Sequence, residues 1–365
     1  MDRQGRRAQR EGWLQNADCR PKAQSGRTER NHLIPLLAVT SALLFCQLPD
    51  PYAPWQEQPN EVIVSMSRAD TPEGELYLLD KDNNLARLTY NSRHENNPAV
   101  SPDGRYVAFN AGDEHEMLTW EIYLLELSTG VETRLTDNNV IDAHPDWHPH
   151  EAKLVFSSWR DAAGNPSPTA DIHVMNPDGT GQRAVSPSTW EDNDAEWSPD
   201  GGTIVFKSTR NTQMPAREEI FLMNADGTGV RRLTTTTGWQ SDHDPSWHPD
   251  GHAVTFNRYE GARPWTDMTN PDTLPLRWRE LVPWNVHAVD LTGNVSRLTD
   301  HAEMIGLPTW NADGSALLFL RLDLIVSESI LVGAHHRLML LDPDGGTRQL
   351  IPDDRHTPTL EYYGW

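Results

Sequence analysis

The chain has 365 residues, with 53 Asp and Glu against 31 Lys and Arg, a formal net charge of −22 at pH 7. A surface this acidic repels phosphate backbones, so nucleic acid is not an expected partner, whereas cations, basic proteins and cationic ligands are compatible with it. Both cysteines, Cys19 and Cys46, precede residue 61, so no disulfide is expected in the remainder.

Residues 1–31 are polar and Arg-rich, and the first thirty carry eight Lys and Arg against four Asp and Glu. A segment of that composition is expected to be a disordered basic tail. Residues 32–48 contain the apolar run Leu33 to Leu48, short for a spanning helix and interrupted by Pro35. It suits the core of a signal peptide or a signal anchor, with the Arg-rich tail kept inside. Thr40-Ser41-Ala42 offers small residues for cleavage, and Phe45 before Cys46 fits a lipoprotein site poorly. A buried, non-targeting helix is the alternative. Residues 49–60 (PDPYAPWQEQP within them) are expected to be a stiff Pro-rich linker.

From residue 61 onward one short pattern recurs. Its first position falls at Pro98, Pro145, Ala195, Pro245, Pro308 and Pro358, and four of the six copies place Trp two residues on: Trp147, Trp197, Trp247 and Trp310. Each of the first five copies is followed by a turn such as Ser101-Pro102-Asp103-Gly104 or Ser198-Pro199-Asp200-Gly201. Proline presets φ and glycine supplies positive φ, so these are turns with a mechanism. Then comes a β-rich run (Tyr106 to Phe109, Leu154 to Phe156, Ile204 to Phe206, Ala253 to Phe256, Leu317 to Phe319), a longer connection, a third strand, a second turn and a short fourth strand such as Arg232-Leu233-Thr234. Four short strands in each 47- to 63-residue repeat predict an all-β, six-bladed propeller of four-stranded antiparallel blades over 61–365. Glu61 to Thr89 lacks the Pro-x-Trp strand, and His356 to Trp365 has that strand alone. The C-terminal strand is therefore expected to complete the N-terminal blade and leave no unpaired edge at the seam.

The succession Trp-Ser-Pro-Asp-Gly at 197–201, Ile-Val-Phe-x-Ser-x-Arg at 204–210, Ile-x-x-Met-Asn-x-Asp-Gly at 220–227 and Arg-x-Leu-Thr around 231–234 resembles the TolB-like, WD-like β-propeller repeat. The resemblance spans residues 61–365 and is specific for fold. Such propellers serve as scaffolds, transport components and parts of hydrolases and lyases, so it does not fix an activity.

In this topology the connections between second and third strands share a face with the loops leading into each first strand. Those connections are long (Ala111 to Trp120, Ser157 to Ala170, Ser208 to Glu218, Asn257 to Asn285, Arg321 to His336), while the opposite turns are minimal. Variable loops over a rigid scaffold mark the candidate functional face. On it stand Glu95, Asp142, Asp192 and Asp242, three residues before the repeated Pro position, and His144, Asp194 and Asp244, one residue before it; His243 and His356 fall two before. Facing a shared mouth, these form a carboxylate arc that needs a cation to relieve its repulsion. A divalent cation fits the expectation: Ca2+ for oxygen ligands, Mn2+ or Zn2+ where imidazoles join, with Asp142, His144, Asp242, His243, Asp244 and His356 as the ligand set. The structural alternative is that Arg160, Arg210, Arg258 and Arg321 pair with the acids of neighbouring blades. Asn257 to Asn285 carries Trp265, Trp278 and Trp284 with Arg263, Arg277 and Arg279, residue types suited to binding or to sugar stacking. The four repeat tryptophans are expected as wedges between blades, and His148 and His248 as turn residues on the opposite face.

Two functions follow. The first is an exported or membrane-tethered, non-catalytic scaffold that takes a protein partner, a carbohydrate or a cationic ligand. The second is a metal-dependent oligouronate lyase, in which a metal acidifies a proton beside a carboxylate and a base removes it. No Gly-x-Ser-x-Gly elbow is present, so serine hydrolysis is not expected.

Overall fold

The computed structural model describes residues 62–364 except 69–70, 81, 83, 114–115, 162, 211–216, 262–283, 301–303, 328–329, 343–345 and 352–358. The expected basic tail, the apolar segment 32–48 and the linker 49–60 lie outside the described residues. Among the described residues no helix is long and apolar enough to cross a membrane.

Among the described residues all regular structure is strand. β1 (Val62–Arg68), β2 (Thr71–Leu79) and β3 (Leu85–Arg87) open the chain; β4 (His94–Val100), β5 (Tyr106–Asp113), β6 (Glu116–Glu126) and β7 (Val131–Arg134) make the second blade. β8 (Asp142–Trp147), β9 (Leu154–Arg160), β10 (Pro166–Met175) and β11 (Arg183–Ala184) make the third, and β12 (Asp192–Trp197), β13 (Thr203–Ser208), β14 (Glu219–Asn224) and β15 (Arg231–Arg232) the fourth. β16 (Ser241–Trp247), β17 (Ala253–Tyr259), β18 (Trp284–Asp290) and β19 (Val295–Arg297) make the fifth; β20 (Met304–Trp310), β21 (Leu317–Ser327), β22 (Ile330–Leu341) and β23 (Thr347–Gln349) the sixth; β24 (Thr359–Gly364) ends the chain. Six four-stranded antiparallel sheets result, and in the first the order is β24-β1-β2-β3. β24 runs antiparallel to β1, with Ile63 opposite Gly364 and Val64 opposite Tyr363. Closure thus comes from the two ends of the described chain, as the incomplete repeats predict.

The core lies between blades. The Phe of each second strand is fully buried in Phe109, Phe156, Phe206, Phe256 and Phe319. Trp147 packs with Ala108, Ile122 and Leu135 of the preceding blade, and its Nε1 donates to the Ala99 carbonyl at 3.0 Å. Trp197 likewise joins Val155, Ile172 and Val174 of the third blade, and Trp247 joins Val205, Ile220 and Leu222 of the fourth. The tryptophans are wedges, as read from the repeat. Ser101, Ser198 and Asn311 close the first turns by accepting the backbone N–H five residues on, and His148 Nδ1 takes the same office by accepting from the amides of His150 and Glu151.

Two expectations about the long connections change. In the second and sixth blades they are not loops but continued hairpins: β5 and β6 pair out to Asp113 and Glu116, and β21 and β22 out to Ser327 and Ile330. The Leu, Ile and Val content of 322–332 favours a continued ladder over a coil.

Candidate functional site

The first strands of the second to sixth blades carry the same irregularity. Its register slips just before the repeated Pro position, at Asn96/Ala99, Ala143/Asp146, Asn193/Glu196, His243/Ser246 and Gly306/Thr309. The bulged residues Asn97, His144, Asp194, Asp244 and Leu307 all have positive φ, between 49° and 54°. Non-glycine residues rarely adopt this region, and Asn, Asp and His tolerate it best. The bulge turns the residue one before the Pro position toward the bore and leaves the residue three before it inside the wall.

The carboxylate arc therefore divides into two sets. Glu95, Asp142, Asp192 and Asp242 have no solvent exposure. They brace the chain where it crosses from one blade to the next. Glu95 accepts from the Leu76 amide at 3.1 Å, from Asn91 Nδ2 at 2.5 Å and from the Thr89 hydroxyl. Asp142 accepts from Asn138 Nδ2 at 2.7 Å and from Ser158. Asp192 accepts from Ser208 at 2.5 Å and is clasped by Arg210. Asp242 takes both arms of Arg258, at 2.6 and 2.7 Å. Arg160 stands 3.5 Å from Asp142. These acid–arginine pairs lie within a blade, first strand to second, and not between neighbouring blades as the alternative reading held. The reason is antiparallel register: Asp142 sits opposite Ser158 and Asp242 opposite Arg258. Arg321 lies on β21 opposite Ile305, where the other blades have an acid. Burial drives Glu95 up to about 8 against the pull of its Thr89 and Asn91 bonds.

The second set lines the mouth of the bore. His144 Nδ1 lies 3.0 Å from Asp194 Oδ1 and 2.9 Å from Asn193 Oδ1. Lys207 Nζ lies 2.8 Å from Asp194 Oδ2. Asp244 accepts from Asn257 Nδ2 at 2.7 Å and from the Leu307 amide of the sixth blade at 3.4 Å. Glu218 accepts from the Ser241 hydroxyl at 2.6 Å and stands 3.4 Å from His243 Nε2, whose ring meets Trp284 edge-on at 5.0 Å. Burial pushes Asp194 up, but Lys207 and then His144 outweigh it and hold its carboxyl at about 2. Burial also lowers His243, which is therefore neutral at pH 7. Lys207 is opposed by burial, yet Asp194, Asp244 and Glu218 together raise it well above the ordinary lysine value. Glu191, half-buried and accepting from the Ala170 amide at 3.2 Å, adds a fourth acid that feels Lys207.

The cation that relieves these carboxylates is thus a side chain of the protein. Lys207 occupies the slot after the buried Phe that is Asn110, Ser157 and Asn257 in other blades. Asn110 and Ser157 use the slot to accept the bulged amides of His144 and Asp194 in the next blade, both at 3.2 Å. Sequence reasoning passed over Lys207, Glu218 and Glu191; a lone Lys in a slot that is Asn, Ser or Leu in the other copies was the available signal. Below this layer, Asp146 accepts the Trp197 amide and Glu196 the Trp247 amide, each at 2.9 Å, tying the third, fourth and fifth blades along their inner edges.

Those of the expected metal ligands that lie among the described residues do not assemble. Among the described residues no group of three or more His, Cys, Asp or Glu is spaced to hold a metal ion. Asp142 and Asp242 are occupied inside the wall, and Asp244 is engaged by Asn257. His356 and Trp265 lie outside the described residues.

Three comparisons place this geometry among known proteins. The TolB β-propeller domain family matches residues 92–263. An uncharacterized protein of Agrobacterium fabrum is 26% identical over 185 residues, which are 48% of this chain and 60% of that protein, so the chain spans less than two thirds of this relative. The crystal structure of TolB from Acinetobacter baumannii superposes with a TM-score of 0.59 at 18% identity, over 87% of this chain and 67% of that one. An oligogalacturonate lyase in complex with manganese superposes with a TM-score of 0.50 at 16% identity, over 76% and 70%. At these identities the structural likenesses speak for the fold alone. The ring is a TolB-like six-bladed β-propeller.

Proposed function

We propose that this propeller is a non-catalytic binding scaffold, exported and either tethered by its N-terminal apolar segment or released, that presents its hairpin-bearing face to a basic segment of a partner protein. One observation carries the reading. Among the described residues, Glu191, Asp194, Glu218 and Asp244 gather at the bore mouth around the ammonium of Lys207, with His243 neutral, so these six groups together carry an excess of negative charge. Trp190 and Trp239, in the loops leading into the fourth and fifth blades, are 42% and 37% exposed and offer aromatic faces on the same side. Uncompensated charge of one sign in a concavity steers ligands of the other sign.

Calorimetric titration with a Lys/Arg-rich decapeptide tests it. Binding should weaken with salt and fall in Glu191→Gln/Glu218→Gln. Equal affinity for an acidic decapeptide, or none for the basic one, would contradict it. For an oligouronate lyase the described residues supply no ligand grouping, and that reading rests on a likeness of fold.

A further inference from the structure

On the face opposite the hairpins, two first turns lean on the next blade through a histidine. His148 sets its ring edge-on to Trp197 at 4.7 Å, and a Cβ added at Gly201 would collide with that imidazole. His248 does the same to Trp310 at 4.5 Å, and a Cβ at Gly314 would stand 2.8 Å from it. Between the fourth and fifth blades the histidine's place is held by Ser198, and a Cβ at Gly251 would meet nothing within 4 Å.

The second turns repeat the contrast further out. A Cβ at Gly179 would lie 2.5 Å from the Leu135 carbonyl of the preceding blade, and one at Gly227 would be closer still to that of Val185. At Gly293 the corresponding distance to Leu233 is 3.4 Å. The fourth and fifth blades thus stand apart at two radii. The gap holds a cavity of about 90 Å³ lined by Thr203, Leu222, Met223, Arg231, Trp247 and Leu291, among others. A buried water needs roughly 10–15 Å³ on this scale, so the cleft has room for about half a dozen heavy atoms.

We propose that this cleft binds a short-chain aliphatic carboxylate. Leu222 and Trp247, which pack together between the fourth and fifth blades, and Leu291 give it apolar walls, matched to an alkyl chain. Arg231 is exposed at the rim, and its Nη1 donates to the Leu291 carbonyl at 3.5 Å, a weak bond that leaves the guanidinium fork available to a carboxylate. The cleft is on the far side of the ring from the acidic mouth and does not depend on the reading of that mouth.

Butyrate is the probe, and the Trp247 indole is the reporter, read in 15N-tryptophan-labelled protein and assigned through Trp247→Phe. Trp197 and Trp310 are internal controls, since His148 and His248 fill their junctions. Butyrate should shift the Trp247 indole resonance saturably and leave those of Trp197 and Trp310 in place. Arg231→Gln should weaken binding about tenfold, the usual effect of losing a charge-assisted bond. Ser198→His, an arrangement the neighbouring blades already accommodate, should close the inner wall and abolish the shift. No shift of Trp247 in excess butyrate would overturn the proposal. So would an equal response to butanamide that Arg231→Gln leaves unchanged, or equal shifts in all three indoles.

Discussion

Lys207 Nζ lies 2.8 Å from Asp194 Oδ2 across the first two strands of the fourth blade, with both side chains largely screened from solvent at 15% and 11% exposure. It is the ammonium around which the acids of the bore mouth collect. Replacing it by an apolar side chain of similar length, Lys207→Met, leaves Asp194, Asp244 and Glu218 facing one another. Breaking a buried pair on one side costs about 3–5 kcal/mol, and chemical denaturation at pH 7 should show a loss at the lower end of that range. A variant as stable as the wild type would mean the acids are relieved by something else.

The same pair fixes a pH dependence. Asp194 is held at about 2, below its ordinary value of 3.8. A depressed carboxyl contributes stability above its unfolded value that is lost as pH falls through the folded one. Asp194→Asn should therefore differ from the wild type at pH 5 to 7 and converge with it between about pH 4 and pH 2, as followed by thermal melts across that range.

Glu95 carries the opposite sign. Its folded value is about 8 against 4.5 when free. A raised carboxyl contributes stability that is full below pH 4.5 and declines as pH rises toward 8. Glu95→Gln removes the titration, so the loss of stability from pH 5 to pH 8 should be smaller in the variant. An unchanged slope would show that the three donors around Glu95 keep it ionised instead.

His148→Ala tests what the histidine wedges do. It empties the space between the third and fourth blades beside Trp197. A cost of about 1–2 kcal/mol is expected from the lost edge-on contact and the cavity left behind. Parity with the wild type would show that the turn alone sets that junction.

Much of the architecture was legible because the repeat states it in several ways at once. The Pro-x-Trp strand, the Asp-Gly turns and the buried Phe recur in register, so each blade supports the assignment of the others. The seam was legible too, since Glu61 to Thr89 and His356 to Trp365 are complementary fragments. The candidate site was read less well. Period-2 alternation does not reveal a bulge, and the bulge decides that Asp194 faces the bore while Asp192 is buried. Lys207 was missed because a lysine on a strand ordinarily reads as a solvated residue. Its role depends on acids 11 or more positions away in sequence, on Asp194, Glu218 and Asp244, which strand pairing within the fourth blade and packing of the fifth against it bring round it inside the ring that β24 closes.

That closure is the claim on which the shared mouth depends, and a cross-strand disulfide tests it most directly. Val64 and Tyr363 stand opposite one another on β1 and β24, whereas Tyr362 is paired with Ser65. In a Cys19→Ser/Cys46→Ser background, Val64→Cys/Tyr363→Cys should oxidise quantitatively within the monomer and raise the melting temperature, and Val64→Cys/Tyr362→Cys should remain reduced. Equal and slow oxidation of both pairs, or bonds formed only between molecules, would contradict a ring zipped shut by its last strand.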